Sequence, residues 1–286
     1  SAQAARHYGV YLLAGTLPCP YRPDGTPVAD GKLRQSSLLF DPAGDCLARY
    51  DKIHLFKATV NDSTGNYDEG RTFEAGNALI VADTEFGKVG MMVCFDIRFP
   101  TLAVKLRELG ADILTAPSAF TYQTGKAHWH ALLTARALDS QCMVIGAGQT
   151  GDHVVNPSEP SKVRSTWGHS EFISSDGESV LTQTIDAASY AVTDAANDAA
   201  NDGVTRDFDF DITNNLDDLP ISAKAASWLP KSDNRQQLDQ TADKTTFYQQ
   251  APSVIFADFD ADAQQITRQN IALLECQKLS IIANNI

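Results

Sequence analysis

From Val89 to Gln149 the chain reads strand, helix, strand, helix, strand, and that alternation restricts its fold more than any other feature of the sequence. "VGMMVC" is a continuous apolar run that gives way to charge and then to Pro100, a residue suited to the first turn of a helix. "TLAVKLRELGAD" carries leucines and charges at helical spacing and stops at Gly110. "ILTAPSAF" is strand-like, "HWHALLTARALDSQ" predicts a second helix, and "CMVIGAGQ" predicts a buried strand. Strands separated by helices in this way belong to α/β folds, with helices outside a sheet. Hairpins add to it upstream: "QSSLLFDPAGDCLARYDKIHLF" is two strands around Asp41-Pro42-Ala43-Gly44, and "NALIVADTEFGKVGMMVC" two more around Glu85-Phe86-Gly87-Lys88. The first residues predict the end of a helix running through Tyr8-Gly9 into the strand "VYLLAGT", so the chain is expected to begin in mid-element.

One domain over residues 1–286 is the expectation for a chain of 286 residues with 43% hydrophobic and 21% charged content. Within it, residues from about 184 to 250 are poor in large aliphatic side chains and rich in Asp, Asn, Ala and Thr, which predicts a loosely packed acidic insertion. Core-like sequence returns at "APSVIFADFDADAQQITRQNIALLECQ", a strand and a closing helix. The formal net charge of −13 opposes nonspecific binding to nucleic acid or anionic lipid, and no stripe of Lys and Arg interrupts it. Five cysteines, Cys19, Cys46, Cys94, Cys142 and Cys276, fall at irregular spacing with no CxxC pair, which argues against a disulfide framework or a zinc knuckle and for a reducing compartment. With neither a leader-like start nor a long apolar span, cytoplasm is the expected location.

Cys94 ends an apolar run at a strand-to-helix turn, where free backbone N–H groups and a nearby cation can stabilise a thiolate that attacks a carbonyl carbon. A small buried hydrophobe is the alternative for any such cysteine. Other residues decide between them. "ARYDKIHLF" with Lys52, "NYDEGRTFEAGN" with Glu69, and "CFDIRFP" together resemble the nitrilase superfamily of carbon–nitrogen hydrolases. The resemblance runs from residue 9 to 182, and "PSAF", "TGKAHW", "GQTGDH" and "GHS" look most like the branch acting on deaminated glutathione and related ω-amides.

That resemblance implies a nitrilase-type α-β-β-α sandwich, here lacking its first strand and helix, and pairing of subunits into a homodimer or larger homo-oligomer. It implies hydrolysis of a small carboxylate-bearing amide to acid and ammonia through a cysteine thioester, with no metal and no organic cofactor. Cys94 would attack, Lys52 and the Phe95 backbone N–H would stabilise the oxyanion, and Glu69 would position lysine and substrate. Arg98 would pair with a substrate carboxylate, with Phe95, Phe120 and Thr124 lining the pocket. An ion pair of Arg98 with Asp96 or Glu108 is the structural alternative. The family also calls for a glutamate general base on an upstream strand, and Glu69 is the first glutamate of this sequence. A catalytically dead binding or scaffolding protein of the same fold therefore stands as the second expectation.

Three further patterns are weaker. His128 and His130 stand two apart on a predicted helix and so point to different faces, a poor metal chelate even with His153 and His169. A cysteine–histidine dyad of Cys94 with His128 or His169 would leave Lys52 and Glu69 unexplained. "DFDFD", residues 207–211, lacks the glycine and closing glutamate of a calcium loop.

Overall fold

Gly9, at φ 63, ends the first helix, α1 (Ala2–Tyr8), in the left-handed conformation that glycine adopts without steric cost, and turns the chain into β1 (Leu12–Cys19). The computed structural model describes residues 1–60, 65–154, 158, 163–180, 183–186, 253–257, 259–271 and 273. Of the acidic insertion, only residues 184–186 are among them; the rest of it, with "DFDFD" and Cys276, lies outside the described residues.

β2 (Arg34–Phe40) and β3 (Cys46–Asp51) form the predicted hairpin and join β1 in an antiparallel three-stranded sheet, order β1-β2-β3. A small hairpin follows, β4 (Lys57–Thr59) with β5 (Asn66–Asp68). Next come β6 (Val81–Thr84), β7 (Gly87–Met91), α2 (Pro100–Glu108), β8 (Ile113–Thr115), α3 (Tyr122–Ser140) and β9 (Met143–Gly146), the alternation read from the sequence. β10 (Thr150–Val154) and β11 (Val163–Trp167) make another hairpin, and β12 (Glu171–Ile173) completes a five-stranded sheet of order β12-β9-β8-β7-β6. The pairs β7–β8 and β8–β9 are parallel, as strands joined through a helix must be to lie side by side in this order. β13 (Gln183–Asp186) pairs with β14 (Ser253–Phe256), and α4 (Ala261–Asn270) closes the described fold.

The run "VGMMV" explains the layering. Val89, Met91 and Val93 point to one side, into a cluster with Leu39, Ala48 and Tyr50 of the three-stranded sheet. Met92 points to the other, into a cluster with Leu102, Leu106, Trp129 and Leu133 of α2 and α3. A strand covered on both faces shows a continuous apolar run instead of an alternating one. On the helix side Gly90 leaves room for this packing, since a Cβ there would sit 2.8 Å from Leu114 and 3.1 Å from Ala111. The result is helices, sheet, sheet. α1 adds a short outer element by Ala5, which is buried, and by Arg6, whose Nε donates to the Ala43 carbonyl in the β2–β3 turn at 2.7 Å.

Two boundaries differ from the sequence reading. β7 stops at Met91, so Cys94 does not close a strand but starts a 3-10 turn, Cys94–Arg98. The β8 strand is only Ile113–Thr115, and "APSAF" beyond it is irregular chain that the cavity uses as a wall.

Candidate functional site

The two-sheet core positions Cys94. Its N–H donates to the Pro117 carbonyl at 3.0 Å, and its φ of 51 places it in the left-handed region, which few non-glycine residues occupy. The turn that follows is held by Asp96, which is fully buried. Asp96 Oδ2 accepts from the Val93 N–H at 2.9 Å and from the Tyr50 hydroxyl at 2.8 Å. Its Oδ1 accepts from the His54 N–H at 3.0 Å, and the His54 ring nitrogen Nδ1 lies 2.8 Å away. Burial first, and then the Asp96 carboxylate, push the Tyr50 hydroxyl far above its ordinary pKa, so Tyr50 serves as a neutral donor. The first hydrogen bond of the turn runs from Asp96 N to Val93 O, which leaves the Phe95 N–H ahead of that ladder.

Lys52 directly follows β3 and is buried, its side chain 0% exposed, while Glu69 is 24% exposed. Their Nζ and Oε2 atoms are 2.6 Å apart, and the same Oε2 accepts the Phe56 N–H at 2.7 Å. Glu69 N in turn donates to the Phe56 carbonyl, so the glutamate is fixed by backbone on both sides.

A cavity of about 410 Å³ opens over these groups. Its wall includes Cys94, Phe95, Arg98, Glu69, Phe120 and Thr124; Lys52 sits behind Glu69 and is not part of the wall. Six of the seven residues singled out from the sequence thus share one cavity. Arg98 is half-buried, its Nη2 donates to His128 Nδ1 at 3.2 Å, and its guanidinium lies 5.4 Å from the Phe120 ring centre and 5.9 Å from that of Phe95. Burial lowers its pKa, and Cys94 works in the opposite direction. The expected structural alternative for Arg98 does not hold among the described residues. Asp96 is taken by Tyr50, His54 and the Val93 amide, and Glu108 pairs with Lys105 at 2.5 Å.

The histidines have other partners. Accepting from Arg98 puts the His128 proton on Nε2. His130 Nδ1 lies 2.9 Å from Glu171, and His169 stacks on Trp167 and bonds the Trp167 carbonyl at 2.7 Å. No histidine bonds Cys94 among the described residues, and no group of three His, Cys, Asp or Glu is placed to hold a metal among them. No helix among them is long and apolar enough to cross a membrane.

Sequence reasoning missed Arg164 and Gln35, both in the cavity wall. Gln35 sits in a strand whose two faces differ little in polarity. Arg164 lies on β11, where the alternation in "VRSTW" gives no sign of which face meets a cavity.

This architecture has counterparts. Residues 1–196 match the carbon-nitrogen hydrolase family, and the chain belongs to it. It is similar to the deaminated glutathione amidase of Yersinia enterocolitica, 43% identical over 189 residues, which are 65% of this chain and 61% of that protein. The omega-amidase NIT2 of Xenopus tropicalis is 36% identical over 177 residues, 62% of this chain and 58% of that protein. Among solved structures, the Caenorhabditis elegans NitFhit protein superposes with a TM-score of 0.53 at 35% identity, covering 63% of this chain and 41% of that one. The chain therefore spans at most about three fifths of the length of these relatives.

Proposed function

We propose that this protein hydrolyses a small carboxylate-bearing amide, of the deaminated glutathione or ω-amide type, to a carboxylic acid and the amine of its leaving group, which is ammonia for an ω-amide, through a thioester on Cys94. The observation that carries the reading is that Cys94, Arg98 and Glu69 line one cavity, with Lys52 held on Glu69 just outside its wall. In this mechanism the Cys94 thiolate adds to the amide carbonyl, and the Lys52 ammonium with the Phe95 N–H receives the negative charge that develops on oxygen. Collapse of the tetrahedral intermediate expels the nitrogen, which takes up the proton that the Cys94 thiol gave up, as an amine or as ammonia, and water then cleaves the thioester to the carboxylic acid and the free thiol. Arg98 pairs with the substrate carboxylate by its planar fork, and Phe95, Phe120 and Thr124 shape the space around the acyl chain. The names of the relatives, amidases of this kind, support the substrate class. We read residues 1–286 as one domain with an acidic insertion, a cytoplasmic homo-oligomer that requires no metal or organic cofactor.

Among the described lining residues Glu69 is the one carboxylate, and its Oε2 is committed to Lys52 and Phe56. This favours a second reading, a nitrilase-fold protein that binds such amides without turning them over. Assay of Cys94→Ala separates the two. Loss of turnover to background, with the amide still bound, is expected for the thioester enzyme. Ammonia release by the alanine variant at more than trace rate sinks that mechanism, and an unaltered chain that binds but never hydrolyses supports the second reading.

A further inference from the structure

An oxyanion held here needs two donors aimed at one point, and the two stand on different elements. Lys52 follows β3, and the Phe95 N–H belongs to the 3-10 turn Cys94–Arg98. Among the described residues, the hydrogen bonds that join residues 50–54 to residues 93–99 all end on the Asp96 carboxylate. Tyr50, just before Lys52, donates its hydroxyl to Oδ2, and the same hydroxyl oxygen accepts the Ile53 N–H at 3.3 Å. His54, just after Lys52, gives Oδ1 both its backbone N–H at 3.0 Å and its Nδ1 at 2.8 Å. A carboxylate oxygen only accepts, so the imidazole proton lies on Nδ1. The same ring lies flat on Phe99 at the far end of the turn, with centroids 3.6 Å apart and planes 8° apart. Phe99 meets Phe95 edge-on at 5.5 Å.

His54 thus grips the nucleophile turn at two places from the lysine side. Asp96 is fully buried, and its Oδ1 has no donor besides His54 among the described residues. Without the Nδ1–H that oxygen keeps a single bond, and a buried carboxylate short of donors shifts to find others. Any such shift moves the turn against the lysine segment. We propose that His54 is a positioning residue for the oxyanion site: through Asp96 and Phe99 it sets the Lys52 ammonium and the Phe95 N–H on one developing negative charge. His54 is not part of the cavity wall, so it acts through these two residues and not on the substrate. The proposal rests on the reading of this cavity as the site of amide hydrolysis and adds to it a residue that keeps its donors in register. A misplacement of about 1 Å is enough to cost about a hundredfold in rate.

Two variants separate the donor from the ring. His54→Phe keeps a flat ring on Phe99 and removes the Nδ1–H, whereas His54→Asn gives up the ring and keeps an N–H donor at the Nδ1 position. With succinamate as substrate, His54→Phe is expected to lower kcat about tenfold to a hundredfold with KM within about twofold, the pattern of a contact made in the transition state. His54→Asn is expected to recover to within about fivefold of the wild type. A merely structural histidine would lower the melting temperature in both variants and leave turnover per folded chain alone. A second readout needs no hydrolysis. Succinic semialdehyde carries hydrogen where succinamate carries its nitrogen; its aldehyde carbon forms a C–S bond with Cys94, the thiol proton passes to the carbonyl oxygen, and that oxygen takes the oxyanion position. Calorimetry compares it with butyrate, which has the same carboxylate and no carbonyl. The wild type is expected to bind the aldehyde about tenfold or more tightly, and Cys94→Ala to lose that preference. His54→Phe is expected to lose most of it with butyrate binding within about twofold, as is His54→Gln, whose amide lies one bond too far out, should the phenylalanine variant not fold. Unchanged kcat and aldehyde preference in His54→Phe, or an asparagine variant as impaired as the phenylalanine one, overturns the assignment. An aldehyde preference that depends on Cys94 and His54 in a chain that hydrolyses no amide upholds the positioning and removes the hydrolase reading. Cys94-dependent hydrolysis that His54→Phe leaves intact does the reverse, and a wild type with neither hydrolysis nor aldehyde preference overturns both.

Discussion

At φ 51 Cys94 holds its Cβ in a region that costs a side chain about 1–2 kcal/mol relative to glycine. The cost is met by its surroundings. The Pro117 carbonyl holds its N–H, and the turn beyond it is locked by Asp96. Two substitutions that both delete the thiol therefore differ in stability. Cys94→Gly relieves the strain and Cys94→Ala retains it, so the glycine variant is expected to unfold about 2–4 °C above the alanine variant by calorimetry, for a strain of about 1 kcal/mol in a protein of this size. An alanine variant as stable as the glycine variant, or more so, would mean that the backbone relaxes when the sulfur goes. The other described cysteines offer no comparable position. Burial pushes the Cys46 thiol up to about 11 and raises that of Cys142, which keeps both protonated and unreactive.

The Lys52–Glu69 pair joins the end of β3 to the turn after β5, and its two members are not equally placed. With the lysine at 0% exposure and the glutamate at 24%, removing the glutamate strands a buried ammonium, whereas removing the lysine leaves a carboxylate that water still reaches. Glu69→Ala is therefore expected to lower stability by about 3 kcal/mol and Lys52→Met by clearly less, read from urea midpoints. Equal losses would show that Lys52 finds a second partner. A second acidic link joins Glu74 to the sheet: Arg22 Nε and Nη2 each reach it at 2.8 Å, and Arg34 of β2 also bonds it. The Arg22 hydrogen bonds, and after them the charge of Arg34, hold the Glu74 carboxyl down to about 2 against the opposing effect of desolvation. The folded state then binds this proton more weakly than the unfolded state. The pair's contribution is complete above the ordinary carboxylate pKa and is lost as pH falls toward about 2. Urea midpoints taken from pH 5 to pH 2.5 are expected to fall more steeply for the wild type than for Glu74→Gln. Parallel curves would mean that the pair also persists in the unfolded chain.

Over the whole molecule, what could be read from the sequence followed from how each segment is covered. The run "VGMMVC" and the amphipathic "TLAVKLRELGAD" are legible because their apolar pattern matches a strand covered on both faces and a helix covered on one. Cys94, Lys52, Glu69 and Arg98 were legible because they sit in motifs with fixed order along the chain. Arg164 and the β10–β11 hairpin were not, since a half-exposed hairpin of mixed polarity has no periodic signature and its role comes from which wall it meets. The least local part of the fold is α4, and it is also where the sequence reading of a closing helix can be tested for what it closes. Its Gln264 accepts the Met143 N–H at 2.9 Å at the start of β9. Arg268 reaches Asp112 at 2.9 Å across 156 residues, and also donates to the carbonyls of Gln141 and Ala111. Those carbonyls belong to the segments that enter β8 and β9, where Gln141 and Ala111 are buried, so water cannot readily replace the guanidinium. Arg268→Met keeps most of the apolar stem while leaving Asp112 without its ion-pair partner, the Gln141 carbonyl without the Arg268 donor, and the Ala111 carbonyl with the weak Cys142 thiol donor. A loss of about 2–3 kcal/mol in urea with an unchanged m-value is expected if α4 is an integral part of the end of the sheet at which β8 and β9 begin. A loss below about 0.5 kcal/mol, the range of an ordinary surface change, would show that the five-stranded sheet and its two helices hold without it.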